Sequence, residues 1–138
     1  MRQYILWSSE DVPDMITEDR KEIIKNHGDE LIGIGCSPGI AVGKARILSD
    51  LSDMQLFEPG EILIAHHTDP GWTPLFFSCK AVVTEIGGIL SHGATVAREY
   101  GIPAVVNVAN VTDRVRCGDI IMVNGTDGVV KLANKKLD

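Results

Sequence analysis

The chain has 138 residues and a mass of 15.0 kDa; 44% of the residues are hydrophobic, 23% charged and only 5% aromatic. That length fits one domain with a core that needs no staples, and the formal net charge of −6 argues against a general binder of nucleic acid or anionic membranes. No apolar run approaches the ~18 residues of a membrane span, and the N-terminus has no signal-peptide pattern.

Cys36, Cys79 and Cys117 are odd in number and contain no CxxC pair. They read as reduced cytoplasmic thiols packed as small hydrophobes, not as a disulfide framework or a zinc site. Residues 1–30 carry eight acids against four bases and form an acidic lead-in or linker. A short helix is expected there from Thr17 to Lys25, with Thr17 as N-cap. The character changes at Leu31, so the main domain is placed at 31–138. Its first stretch, LIGIGCSPGIAVGKARIL, reads as strands broken by a Ser-Pro-Gly turn at 37–39.

The middle of the chain alternates. EILIA (61–65) is a short apolar run, TDPGW introduces a helix over Thr73–Ser78, and AVVTE (81–85) is a second run. A second helix over Ser91–Tyr100 leads to PAVVNV (103–108). Strand, helix, strand, helix, strand implies a parallel βαβαβ core in an α/β fold. The last runs, around Asn-Gly and Asp-Gly in IIMVNGTDGVVKL (120–132), imply a C-terminal β-hairpin.

One segment, TEIGGILSHGATVAREYGIPAVV (84–106), carries chemistry. Thr84–Glu85 close a buried strand, and Gly87–Gly88 let the chain turn close to something. Ser91 suits an N-cap, and Gly101 followed by Pro103 suits a helix stop. His92 then falls in the first helical turn, where free N–H groups and the helix dipole favour an anion such as phosphate. The same field opposes protonation, which leaves the imidazole a neutral nucleophile. Thr84, Ser91 and the glycine-loop amides are placed to donate to phosphoryl oxygens. Arg98, six residues on, lies on another helical face. It meets a phosphate only when the helix docks on a partner, or it is structural. From the residues alone, His92 is equally a capping or surface residue.

Other residues read more plainly. A Ser–His hydrolase pair of Ser91 and His92 fails because adjacent helical residues diverge by about 100°. His66 and His67 beside Asp69 face opposite sides of a strand end, against a metal site. Trp72 and Phe76 form a packing stripe, with docking of a partner domain as the alternative role. Asp113, Arg114 and Arg116 read as a solvated loop.

The 84–106 string resembles the phosphohistidine signature of the phosphoenolpyruvate-utilising enzymes, which include phosphoenolpyruvate synthase, pyruvate phosphate dikinase, enzyme I of the phosphotransferase system and rifampicin phosphotransferase. Thr84, Gly87, Gly88, Ser91, His92, Ala97, Arg98, Glu99, Gly101, Ile102 and Pro103 match it. SPGIAVGKARIL (37–48), TDPGWTPLF (68–76) and GDIIMVNGTDGVVKL (118–132) look similar too, so the likeness covers about 31–133. The second of these stretches and His-Gly-Ala lean toward the synthase and rifampicin-phosphotransferase branch.

The resemblance implies a mobile, swivelling domain of β/β/α type. Its His92 carries a phosphoryl group between two active sites, in the setting of Thr84, Gly87, Gly88 and Ser91. It implies that the chain binds no cofactor itself, with ATP and Mg2+ on an ATP-binding partner domain. The acceptor (pyruvate or phosphoenolpyruvate, phosphate, or an antibiotic) would sit on another domain, in cis or in trans. Leu90 stands where family members often carry a regulatory Thr. The alternative is a non-catalytic docking or regulatory module that keeps the fold.

Overall fold

The computed structural model describes residues 30–132; the helix expected from Thr17 to Lys25 lies outside them. The described residues form eight strands: β1 (Glu30–Ile32), β2 (Ile34–Ser37), β3 (Ile40–Leu48), β4 (Ile62–Ala65), β5 (Ala81–Thr84), β6 (Ala104–Val106), β7 (Ile120–Asn124) and β8 (Val129–Leu132). The helices are α1 (Thr73–Phe76), α2 (His92–Tyr100) and α3 (Val111–Arg114), with 3-10 turns at Leu51–Leu56 and Pro70–Trp72. The α3 turn is an addition to the sequence reading, which took this region as loop.

The spatial order is β1-β8-β7-β3-β4-β5-β6-β2. Strands β4, β5 and β6 run parallel with α1 and α2 in the connections, as the alternating runs predict. Strands β7 and β8 form the expected antiparallel hairpin. Its turn is held by the Asn124 Oδ1, which accepts from the Thr126 and Asp127 amides. The long strand β3 serves two sheets. Ile40–Lys44 pair antiparallel with β7, and Ala45–Leu48 pair parallel with β4.

Alternation along the central strands sorts two cores, because successive side chains point to opposite faces. Ile62, Ile64, Val83 and Val105 pack with Ile121, Val123 and Val130 between the two sheets. Leu63, Ala65 and Val82 face the other way, onto Trp72, Leu75, Phe76 and Ala97 of the helical layer. The result is the β/β/α layering that the family resemblance implied. Burial on both faces is why these strands read as unbroken apolar runs.

The sheet also closes. Strands β1 and β2 are separated only by Gly33, yet they occupy opposite ends of the strand order, so the two edges must meet there. Glycine makes the approach feasible. A Cβ on Gly33 would lie 2.5 Å from the Val106 carbonyl oxygen, and one on Gly125 would lie 1.9 Å from that of Ser37.

Candidate functional site

Strand β5 ends at Thr84 and the chain turns through a loop into α2. Gly87 takes φ +126°, a conformation open to glycine, and a Cβ there would press on Ser91 Oγ at 3.2 Å. Gly88 has open space on its side-chain face, so its backbone is accessible to an approaching group. Ser91 caps α2: its Oγ accepts from the Ala94 amide at 3.4 Å and donates to the Gly88 carbonyl at 2.8 Å. Gly101, at φ 72° and ψ 29°, ends the helix in the left-handed conformation. The amides of His92 and Gly93 have no acceptor among the described residues. They form the electropositive end of the helix that the sequence predicts.

His92 is the first residue of α2 and half-buried. Its Nδ1 lies 2.9 Å from Thr68 Oγ1 and its Nε2 3.2 Å from Thr73 Oγ1. The Phe76 ring meets the imidazole edge to face, with centroids 5.8 Å apart. A neutral imidazole has one donor and one acceptor nitrogen, and a hydroxyl can answer either. The ring is thus held at both nitrogens and along one edge. Thr68 and Thr73 escape a reading of the 84–106 segment alone. The available signal is positional: Thr68 follows the end of β4 as Thr84 ends β5, and parallel sheets gather their sites beyond strand carboxyl ends.

A cleft of about 160 Å³ lies next to the imidazole on its Thr68 side; His92 is outside its lining and meets it through Thr68, Ser91 and Gly93. Thr68, Thr84, Gly87, Ser91 and Gly93 line it, together with His67 and Ile86. Three of the residues expected around the histidine, Thr84, Gly87 and Ser91, therefore come together; Gly88 lies outside the lining. Thr84 is buried, and its hydroxyl donates to the Ile86 carbonyl at 2.8 Å. Arg98 lies elsewhere. Its guanidinium donates to the carbonyls of Cys36 and Ile89, at 3.2 and 2.9 Å, and so ties the loop before α2 to β2. Trp72 is a correction to its docking role: it is 4% exposed and belongs to the helical-layer core, because the short Pro70–Trp72 turn aims its large apolar ring inward.

Ser91 and His92 make no pair, since each is engaged with other partners. His66 Nδ1 sits 2.8 Å from Glu85 Oε1, while Glu85 Oε2 accepts from the Thr112 hydroxyl at 2.5 Å and from the Thr112 amide at 2.9 Å. These hydrogen bonds, that from His66 foremost and then that from the Thr112 hydroxyl, hold the Glu85 carboxyl below the usual carboxylate range. Among the described residues no group of three or more His, Cys, Asp or Glu could hold a metal ion. Cys36 and Cys79 are buried, and burial pushes the Cys79 thiol up to about 12. Cys117 departs from the buried reading: it is exposed, at the chain turn before β7. Among the described residues no helix is long and apolar enough to cross a membrane.

Residues 57–128 match the family model described as PEP-utilising enzyme, mobile domain; that stretch contains His92 and the whole cleft. Over 135 residues the chain is 42% identical to rifampicin phosphotransferase of Bacillus cereus, covering 94% of this chain and 15% of that protein. Over 96 residues it is 47% identical to phosphoenolpyruvate synthase of Aquifex aeolicus, covering 70% of this chain and 11% of that protein. A solution structure of Enzyme I shares 35% identity at a TM-score of 0.51, over 58% of this chain and 34% of that one. The chain thus spans a small part of the relatives it matches.

Proposed function

Because the chain belongs to the family of PEP-utilising enzyme mobile domains, we propose that His92 is a phosphoryl carrier within a larger phosphotransferase. The observation that carries this is the histidine itself: it opens α2 with both ring nitrogens on threonine hydroxyls, beside a cleft walled by Thr68, Thr84 and Ser91.

In the first step the lone pair of an imidazole nitrogen attacks the donor phosphorus. A P–N bond forms, the P–O bond to the leaving group breaks, and the leaving group departs with the electron pair. The nitrogen that attacks gives up its threonine hydroxyl, which is then free to donate to a phosphoryl oxygen. The amides of Gly87 and Gly88 are further donors to those oxygens, joined by Thr84 and Ser91 once their hydroxyls turn away from the Ile86 and Gly88 carbonyls. Catalysis of this kind is mostly positioning and charge stabilisation. In the second step an acceptor oxygen attacks phosphorus, the P–N bond breaks and the imidazole returns to its neutral form.

The chain accounts for 15% of the length of a rifampicin phosphotransferase, and donor and acceptor sites are assigned to other domains, in cis or in trans. ATP and Mg2+ are assigned to an ATP-binding domain. The acceptor (pyruvate or phosphoenolpyruvate, phosphate or an antibiotic) is assigned to another. The three free thiols suit a cytoplasmic setting.

The test is incubation with the ATP-binding domain, ATP and Mg2+, read by intact mass. The expected product is an acid-labile, alkali-stable phosphate that His92→Ala does not acquire. Absence of label under conditions that phosphorylate a known carrier histidine overturns the reading and favours a docking module, and label that persists in His92→Ala moves it to another residue.

A further inference from the structure

The cleft beside His92 contains a residue that the carrier scheme leaves unused. His67 lines it, directly after strand β4 and next to Thr68. The other polar walls are the hydroxyls of Thr68, Thr84 and Ser91, which carry no charge; those of Thr84 and Ser91 donate to the Ile86 and Gly88 carbonyls. A phosphoryl group brings roughly two negative charges at neutral pH. Arg98, the cation nearest to His92 in sequence, is tied to the Cys36 and Ile89 carbonyls.

The groups around His67 leave it available. His66 meets its ring edge to face, at 5.5 Å between centroids, and turns its own Nδ1 to Glu85. The Asp69 carboxylate accepts from the Gly71 amide in the following turn. His67 itself is exposed and makes no hydrogen bond among the described residues. The cleft volume, about 160 Å³, is several times the ~30 Å³ that a water occupies in the liquid, so a phosphoryl group fits.

We infer that His67 is the positioning residue for the phosphorylated state: its protonated imidazole is the cation that faces the phosphoryl oxygens of phospho-His92 in this cleft. This rests on the carrier reading of His92. Loading of His92 is then coupled to proton uptake in the cleft, so it is more favourable in acid and the advantage is lost as pH rises.

The experiment brings wild type, His67→Gln and His67→Arg to phosphorylation equilibrium with the ATP-binding domain, ATP and Mg2+ at pH 6 and pH 8.5. Intact mass gives the ratio of phosphorylated to unphosphorylated chain. Comparing variants at one pH cancels the pH dependence of the donor. The wild-type ratio should exceed that of His67→Gln by about tenfold at pH 6 and equal it at pH 8.5, whereas His67→Arg should stay high at both. A wild-type to His67→Gln quotient of one at pH 6, or one that does not change with pH, overturns the assignment. If no protein is labelled by a donor domain that labels a known carrier histidine, the carrier reading falls first and takes this role with it.

Discussion

The two sheets of this domain are built from similar residues but treat their faces differently. In the parallel sheet, β4, β5 and β6 are buried at every position, because a sheet covers one face and helices the other. In the antiparallel sheet, the Ile40–Lys44 half of β3 is exposed or half-buried throughout. A strand sealed on both faces has no place for polar chemistry except at its ends. The polar side chains gather accordingly: His66, His67 and Thr68 beyond β4, Thr84 and Glu85 at the end of β5, and His92 on the helix that follows. The antiparallel sheet takes part in the closure through β1 on β8, and it contributes no residue to the cleft.

Three substitutions sharpen that division of labour. The largest effect is expected from Gly125→Ala, at the hairpin of the antiparallel sheet. Its Cβ would lie 1.9 Å from the Ser37 carbonyl oxygen, so backbone must move, at a cost of about 3 kcal/mol or more. Urea denaturation should show this loss, while labelling of His92 per folded molecule stays as in the wild type. Loss of labelling in the folded fraction would show that the closure also shapes the site.

Next comes the glycine pair at the parallel end. Gly87→Ala should lose about 2 kcal/mol, because φ +126° is strained for alanine and the methyl presses on Ser91. Gly88→Ala, with open space around it, should stay within about 0.5 kcal/mol. Equal losses in thermal melts would contradict the different environments assigned to the two positions.

The smallest effect is expected from Glu85→Gln, which loosens the tie between β4, β5 and α3. His66 and Thr112 hold the Glu85 carboxyl low, so its contribution is present above the ordinary carboxylate range near 4.3. It is lost as pH falls through the lowered value. At pH 7 the variant should be less stable by about 1 kcal/mol, a modest figure because His66 is largely solvent-exposed. The two proteins should converge near pH 2, and a gap that persists there would mean that the loss comes from packing.

Much of the parallel half was legible in the sequence because its signals are local. Ser91 caps, Gly101 stops and the apolar runs mark sealed strands, each through interactions within a few residues of chain. The placement of His92 at the start of α2 follows from those signals, and Thr84, Gly87 and Ser91 could be named as its neighbours. What the segment could not reveal was the pair of hydroxyls on the imidazole. Thr68 and Thr73 lie 24 and 19 residues before His92, and no local periodicity links residues that far apart. Trp72 shows the same limit: helical spacing supplies a stripe, but only packing decides whether the stripe faces the core or a partner.

By itself, then, the amino-acid sequence determined the alternation of strands and helices, the hairpin and the position of His92 at a helix start, all consequences of short-range backbone and capping preferences. Tertiary structure decided which strand ends share a cleft, how β3 divides between two sheets and how β1 and β2 close them. Those outcomes depend on pairings between distant residues, where close backbone approach at glycines such as Gly33 and Gly125 selects one closure.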